Sequence, residues 1–518
     1  MGRLFVNSLF LHQEMPMAST DRTLRPARVQ TRLALEPLED RTVPTNFTVT
    51  NLNDGGSGSL RLAITLANAA ADEDIINFAP GLSGTINLTL PGAGGFEDDT
   101  NVSGDLDILN PLTIQGPGAN VLTVRQTVAN ERVFHVMSAA GTSVSISGLT
   151  ISGGNGNNGG GAGVDLQTAA SLTLSAVEVT GNSTSGAAGS GVSTLLAGSI
   201  LTIMDSTIAN NSSASFGGGV LIFRGSATIT NSTISGNSAG PGQPGGGVDL
   251  EGGSAVIRNS TITGNSSPIA GGGITVFGSA TVTLSSTIVA GNIGGDISGP
   301  VDTTSDHNLI GNNAGSAGIS NGFNGNIVGN AVTPIDPLLG PLQLNGGPTR
   351  THALLAGSQA LNNGSNAAGL PSDGRGAPFL RLFGAGVDIG ALEVQPNPPP
   401  TAQAFQAARD AITALQPSGA RLAAFAIGDV SGDFVSDIVL AFRLRSNKLL
   451  IATFDGIDGH IRGAFQPFRN AVGANARVQL VTLNLNADPA LEIGLIVTPA
   501  SLGVPHISAF TVTGTRIL

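Results

Sequence analysis

Ser206-Thr207-Ile208-Ala209-Asn210-Asn211, Ser232-Thr233-Ile234-Ser235-Gly236-Asn237 and Ser260-Thr261-Ile262-Thr263-Gly264-Asn265 are three copies of one phrase, with looser copies ending at Asn182 and Asn292. A second phrase, Gly-Gly-Gly before an aliphatic residue, ends at Val220, Val248 and Ile274, with degenerate copies at Val164 and Val192. From Val164 to Ile274 the aliphatic residues are 28, 28, 28 and 26 positions apart. A fixed period of this size means a solenoid whose repeats bury their apolar faces against their neighbours. Each repeat holds short β-prone runs, such as Ala227-Thr228-Ile229-Thr230 and Ala255-Val256-Ile257-Arg258, between clusters of Gly, Asn and Ser. Those clusters tolerate the positive φ that corners need, and Val, Ile and Thr suit a pleated strand. No amphipathic helical pattern interrupts the repeats, so leucine-rich and ankyrin-type solenoids fit poorly. The reading is an all-β, parallel β-helix. Stacking predicts one interior column of Val164, Val192, Val220, Val248 and Ile274 and another of Ile208, Ile234 and Ile262. It also aligns Asp205, Asn231 and Asn259, where side-chain amides are expected to share hydrogen bonds as a ladder.

Composition agrees with a folded rod. Of 518 residues 74 are Gly and only 11% are charged, while 40% are hydrophobic, which excludes a disordered chain. A net charge of -12 argues against nucleic acid as a partner, because phosphates need a basic surface. Without cysteine there are no disulfides or thiolate metal sites. No run of residues reaches the length of a transmembrane helix.

Residues 1–45 carry six arginines but no secretory apolar core, since Leu4-Phe5-Val6 and Leu9-Phe10-Leu11 are broken by Asn7, Ser8 and His12. Leu33-Ala34-Leu35-Glu36-Pro37-Leu38-Glu39-Asp40-Arg41-Thr42-Val43-Pro44 resembles the leader that opens many exported planctomycete surface proteins. The resemblance implies export, an extracellular or cell-surface location, and a disordered or removed leader. Residues 46–140 read as the capping end and first coils. In Gly58-Ser59-Leu60-Arg61-Leu62-Ala63-Ile64-Thr65-Leu66-Ala67-Asn68, Leu60, Ile64 and Ala67 share a helical face and Ser59 is the expected N-cap. This segment resembles the Cys-Ser-Leu-Arg-Glu-Ala motif that precedes β-helices in bacterial surface proteins, with Gly58 for the cysteine and Leu62 for the glutamate. Resemblance to the β-helix superfamily implies a right-handed coil.

The repeats occupy residues 141–300 and decay beyond. Asp336-Pro337-Leu338-Leu339-Gly340, Asn345-Gly346-Gly347-Pro348, Asp373-Gly374-Arg375-Gly376 and Val387-Asp388-Ile389-Gly390 follow in order. Residues 301–394 thereby resemble the last coils and choice-of-anchor Q region of bacterial surface proteins. Asp373, Arg375 and Asp388 are expected to form a buried structural network. Residues 395–404, with Pro396-Asn397-Pro398-Pro399-Pro400, read as a stiff linker. In residues 405–518, Asp429-Val430-Ser431-Gly432-Asp433-Phe434-Val435-Ser436-Asp437 resembles the FG-GAP/VCBS repeat of β-propellers. By that resemblance Asp429, Ser431, Asp433 and Asp437 would hold Ca²⁺, a hard cation that takes oxygen ligands. A second copy offers Asn484, Asn486, Asp488 and Glu492 as a weaker set, short of one charge at Asn484. Two such repeats are too few to close a propeller.

Catalysis finds little support in the repeats. A lyase of the β-helix superfamily uses an Arg or Lys base beside carboxylate-held Ca²⁺, yet residues 141–300 contain no Lys or His and only Arg224 and Arg258. A hydrolase needs carboxylates within roughly 5–10 Å, whereas Asp165 and Asp249, in one register, stand three coils or about 14 Å apart. Asp249 and Glu251 point the same way along one strand and are expected on a solvated face. The chain has no Trp or Tyr to serve as sugar platforms. Gly159-Gly160-Gly161 reads as a corner, because it carries no Lys and opens no helix. The phrases also resemble repeats of polymorphic outer-membrane proteins, which end in a membrane barrel that is not recognised after residue 394. The expected function is a non-catalytic exported surface or matrix rod, calcium-stabilised, whose partner is an unidentified surface polysaccharide or protein. A degenerate or unrecognised polysaccharide lyase or glycoside hydrolase is the alternative.

Overall fold

The computed structural model describes residues 44–518 except 71, 93–98, 157–159, 187, 396–401, 416–418, 431–434, 457–458, 469–471, 473–474, 484–490, 499–505, 512–513 and 517–518. The leader pattern and the Pro396–Pro400 run lie outside the described residues. Three parallel sheets of nine, ten and nine strands wind around one apolar core. One coil, for example, takes Ser226–Thr230 into the first sheet, Thr233–Ser235 into the second and Val248–Leu250 into the third. The expected columns stand in register: Val164 pairs with Val192, Val192 with Val220, Val220 with Val248 and Val248 with Ile274. Ile208, Ile234 and Ile262 stack likewise. All of these side chains are buried.

At the start of the rod, helix Leu60–Ala67 covers the first coils. The Ser59 hydroxyl accepts from Leu62 N at 3.2 Å, and Leu60, Ile64 and Ala67 join the core. The helix also buries Arg61, whose guanidinium meets Asp54 at 2.8 Å and donates to the Asp105 carbonyl at 2.7 Å.

The shared-amide ladder forms, but not at the positions expected. Asp205, Asn231 and Asn259 take φ of 51°, 50° and 46° at the tight corner between the first and second sheets. Asn231 Nδ2 reaches Asp205 Oδ1 at 3.1 Å, while Asn259 Nδ2 turns instead to the Ser365 carbonyl. These residues suit the left-handed backbone of the corner, and only one link of their ladder is made. The continuous ladder runs through the landmark asparagines. The Oδ1 of Asn211 accepts from Asn182 N and Nδ2 at 3.0 and 2.9 Å, and the same double contact joins Asn211 to Asn237, Asn237 to Asn265 and Asn265 to Asn292. Gly154 N closes one end on Asn182 Oδ1, and Asp296 Oδ1 receives the other. Each internal amide also donates to a carbonyl of the preceding coil, as Asn237 Nδ2 does to Ile208 O at 2.9 Å.

The Gly-Gly-Gly phrase has two separate steric causes. A Cβ on Gly247 would lie 2.5 Å from the Gly273 carbonyl and 3.0 Å from the Asn265 amide, so this position is bare because the ladder passes beside it. A Cβ on Gly245, whose φ is 74°, would fall 2.5 Å from the Asp249 Cβ. The loop therefore folds back over the outward side of the third sheet.

Strands Leu309–Ile310 and Ile327–Val328 end the second sheet. The chain then turns back along that sheet's outer face. Hairpin Leu339–Leu344/Arg350–Leu354 and the segment up to residue 394 bond four successive strands and the corner before a fifth. Arg350 pairs with Glu178 and its carbonyl accepts from Thr207 Oγ1; His352 meets Ser235 at 2.9 Å, Ala391 N donates to Thr261 Oγ1 at 3.0 Å and Gly390 N to Ser286 O at 2.9 Å just before Ile288. The expected Asp373/Arg375/Asp388 network divides. Arg375 pairs with Asp373 at 2.6 Å and stacks on Phe379, whereas Asp388 accepts backbone N–H groups from Asn362 and Val394, each at 2.7 Å. A second buried pair, Arg381 with Glu393 at 3.1 Å, was not anticipated.

The remaining residues form antiparallel sheets of four and three strands, Arg421–Phe465 and Arg477–Phe510. Helix Ala402–Leu415, absent from the expectation, starts inside the supposed linker and packs on Ile438, Leu440 and Phe442.

Replacing Asn237 by Ala removes both roles of one amide and strands the N–H of Asn211 in the buried interior. We expect Asn237→Ala to lower solenoid stability by about 3 kcal/mol in urea unfolding, with Ser254→Ala, on an exposed position, within about 0.5 kcal/mol of the parent.

Candidate functional site

Strand alternation puts Val and Leu of each third-sheet strand into the core and aims the central residue outward. That outward column reads Asp107, His135, Asp165, Ser193, Leu221, Asp249 and Thr275. In a bare sheet it would be solvated. Here the glycine loops cover it, and Asp107, Asp165 and Asp249 are each 0% exposed. The solvated face expected for Asp249 is therefore corrected, although Asp165 and Asp249 do stand three coils apart as expected.

Chemistry concentrates at two places on this column. Toward the start of the rod, Arg132 Nε meets Asp105 at 3.1 Å, its Nη1 lies 3.5 Å from Asp165, and its Nη2 approaches His135 Nδ1 at 3.2 Å. Burial lowers the Arg132 pKa, against the opposing pull of Asp165. His135 Nδ1 lies 3.3 Å from Asp107 Oδ1 and 3.4 Å from Asp99 Oδ1. Asp107 Oδ2 accepts from Asn101 N at 2.7 Å, and Asp165 is held by Ser193 and by Gln167 at 3.0 Å. Except for Asp165, this cluster lies before residues 141–300, where the landmark phrases stand. Aligning Leu106-Asp107-Ile108, Phe134-His135-Val136 and Val164-Asp165-Leu166 by their flanking aliphatics would have found it.

The second place is an open groove of about 540 Å³ walled by Phe223, Arg224, Glu251 and Phe277. Asp249 lies on the same strand as Leu250, one residue before the strand ends, and neither of its carboxylate oxygens has a hydrogen-bond partner. Burial first, and then the neighbouring Glu251 charge, push its pKa up to about 8; burial also raises Glu251. The pair can hold a proton near neutral pH, as a general acid must. Yet a Cβ on Gly245 would touch Asp249, so the loop seals this acid from a ligand in the groove.

Of the expected Ca²⁺ ligands, Asp429 and Asp437 are buried, and Asp437 accepts from Val430 N at 3.1 Å and from Gly456 N at 2.9 Å. Ser431, Asp433, Asn484, Asn486 and Asp488 lie outside the described residues. Glu492 begins strand Glu492–Thr498, and its side chain is likewise outside the description.

Unfolding lets Asp249 ionise at its ordinary value of 3.8, while the fold holds the proton up to about 8. Over that interval the native state binds more protons, so stability falls as pH rises and levels off above it. Asp249→Leu, copying Leu221 in the adjacent coil, is expected to flatten the slope between about pH 4 and pH 8 and to stabilise the protein by a few kcal/mol at the upper end. Urea midpoints measured across that range check this.

No curated protein and no solved structure matches the chain. Residues 110–255 match the family described as the right handed beta helix region. That match and the three stacked parallel sheets support a right-handed β-helix.

Proposed function

We propose that this chain is an exported, non-catalytic cell-surface or matrix protein whose β-helix is a rod for adhesion or mechanical support. What carries the reading is that the rod's own chain occupies its outward faces. Glycine loops lie over the third sheet, and the segment following residue 336, read here as a choice-of-anchor Q region, lies over the second. A polysaccharide enzyme of this fold needs carboxylates open to a long substrate, and here the strongest acid candidate, Asp249, is sealed. Export rests on the leader resemblance in residues 33–44. Among the described residues no helix is long and apolar enough to cross a membrane. The C-terminal sheets, read as FG-GAP/VCBS-like repeats, would take Ca²⁺ at Asp429, Ser431, Asp433 and Asp437, with Asn484, Asn486, Asp488 and Glu492 as the weaker set.

The alternative, a degenerate or unrecognised lyase or hydrolase, has one observation in its favour: Glu251 stands on the wall of a groove beside an acid of raised pKa. Two phenylalanines in one column, two coil rises or about 10 Å apart, also line that groove.

Incubation of the purified chain with plant and bacterial polysaccharides is expected to release no new reducing or unsaturated ends, and antibody labelling of intact cells should find the protein outside. Cleavage that Glu251→Gln abolishes would establish the alternative. Calorimetric titration should show Ca²⁺ uptake and a raised Tm, both lost in Asp433→Ala.

A further inference from the structure

We propose that Asp99, Asp107 and His135 form a site for a divalent transition-metal ion of the Zn²⁺ type at the start of the rod. Three observations converge on it. His135 Nδ1, Asp107 Oδ1 and Asp99 Oδ1 all lie within 4.8 Å of one another, and the nitrogen stands 3.3 and 3.4 Å from the two oxygens. Ligand atoms bound tetrahedrally at about 2.0–2.1 Å are separated by edges of about 3.4 Å. Asp107 is 0% exposed, its Oδ2 is taken by Asn101 N, and its Oδ1, 3.3 Å from His135 Nδ1, accepts no hydrogen bond.

Charge supplies the third observation. Buried carboxylates gather here: Asp105 and Asp165 meet the Arg132 guanidinium, and Asp107 is buried beside His135. Buried charge is retained only when paired or bound to metal. A divalent ion held by Asp107, His135 and Asp99 would pair the buried Asp107 carboxylate.

The donor set chooses the ion. Imidazole nitrogen with carboxylate oxygen suits Zn²⁺, whereas Ca²⁺ takes six to eight oxygens at longer distances. Asp99 is exposed, so it closes the site from the solvent side and leaves a fourth position for water. Arg132 keeps Asp105 and Asp165 and yields the His135 nitrogen to the ion. The ion would then fasten the Asp99 segment to the second and third coils of the rod, at His135 and Asp107.

The test uses the full chain dialysed against a chelator and then titrated with Zn²⁺ alone, followed by calorimetry, thermal unfolding and metal content. One ion per chain with a raised Tm is expected, and Co²⁺ in its place should give the intense visible absorption of a tetrahedral centre. His135→Gln and Asp107→Asn should weaken binding by about 100-fold or more, and Asp99→Asn, on the exposed rim where folding is not at stake, by about 10-fold. No Zn²⁺ uptake by the parent chain would overturn the proposal. So would Asp99→Asn and His135→Gln chains that fold and bind as tightly as the parent.

Discussion

The close stacking of one coil on the next is the constraint from which the rest of this molecule follows. Strands in a parallel sheet repeat at about 4.8 Å, and an amide side chain at the same place in every coil can then both donate to and accept from its neighbours. Asn182, Asn211, Asn237, Asn265 and Asn292 do this in the interior, where an unpaired amide would be costly. The ladder fixes the period, because a coil with its asparagine displaced would break two links at once. It also fixes the glycines, since the backbone of the adjoining loop passes within contact of the amide column.

The same loops change what the outer surface can be. Alternation along a strand would hand every second residue to solvent, and Asp249 would be an ordinary solvated carboxylate. The loop at Gly245 removes that solvent and turns it into a buried acid held protonated to about pH 8. On the second sheet, residues 339–394 do the corresponding work with hydrogen bonds to threonine and serine hydroxyls. Small polar side chains in these columns are thus partners of the protein's own chain. Two places on the rod escape the pattern: the groove beside Glu251, and the charged cluster around Arg132.

The core was legible in the sequence because its signal is local and repeated: Val220 and Val248 stand at the same offset from the same glycines. Helix Leu60–Ala67 was legible too, since its cap and its apolar face lie within a few residues of each other. The cluster of Asp99, Asp107, His135 and Asp165 was not, because all but Asp165 precede the landmark phrases, and only the flanking aliphatics mark the register of Asp107 and His135. The ladder was half legible. Its chemistry is visible in the sequence, but Asn231 and Asn259 repeat as regularly as Asn237 and Asn265, and the sequence around both sets is equally polar.

Sequence by itself determined the winding of this chain, because a 26- to 28-residue period with β-branched residues at fixed offsets has one economical packing. It also determined which residues face the core, since strand alternation is a local rule. Only the tertiary structure decided which outward residues meet water. Whether Asp249 is solvated depends on the path of its own loop, and whether Thr207 is covered depends on Arg350, 143 residues away. Burial and pairing of a polar group are set by whatever chain segment lies over it, and nothing in the neighbouring sequence encodes which segment that will be.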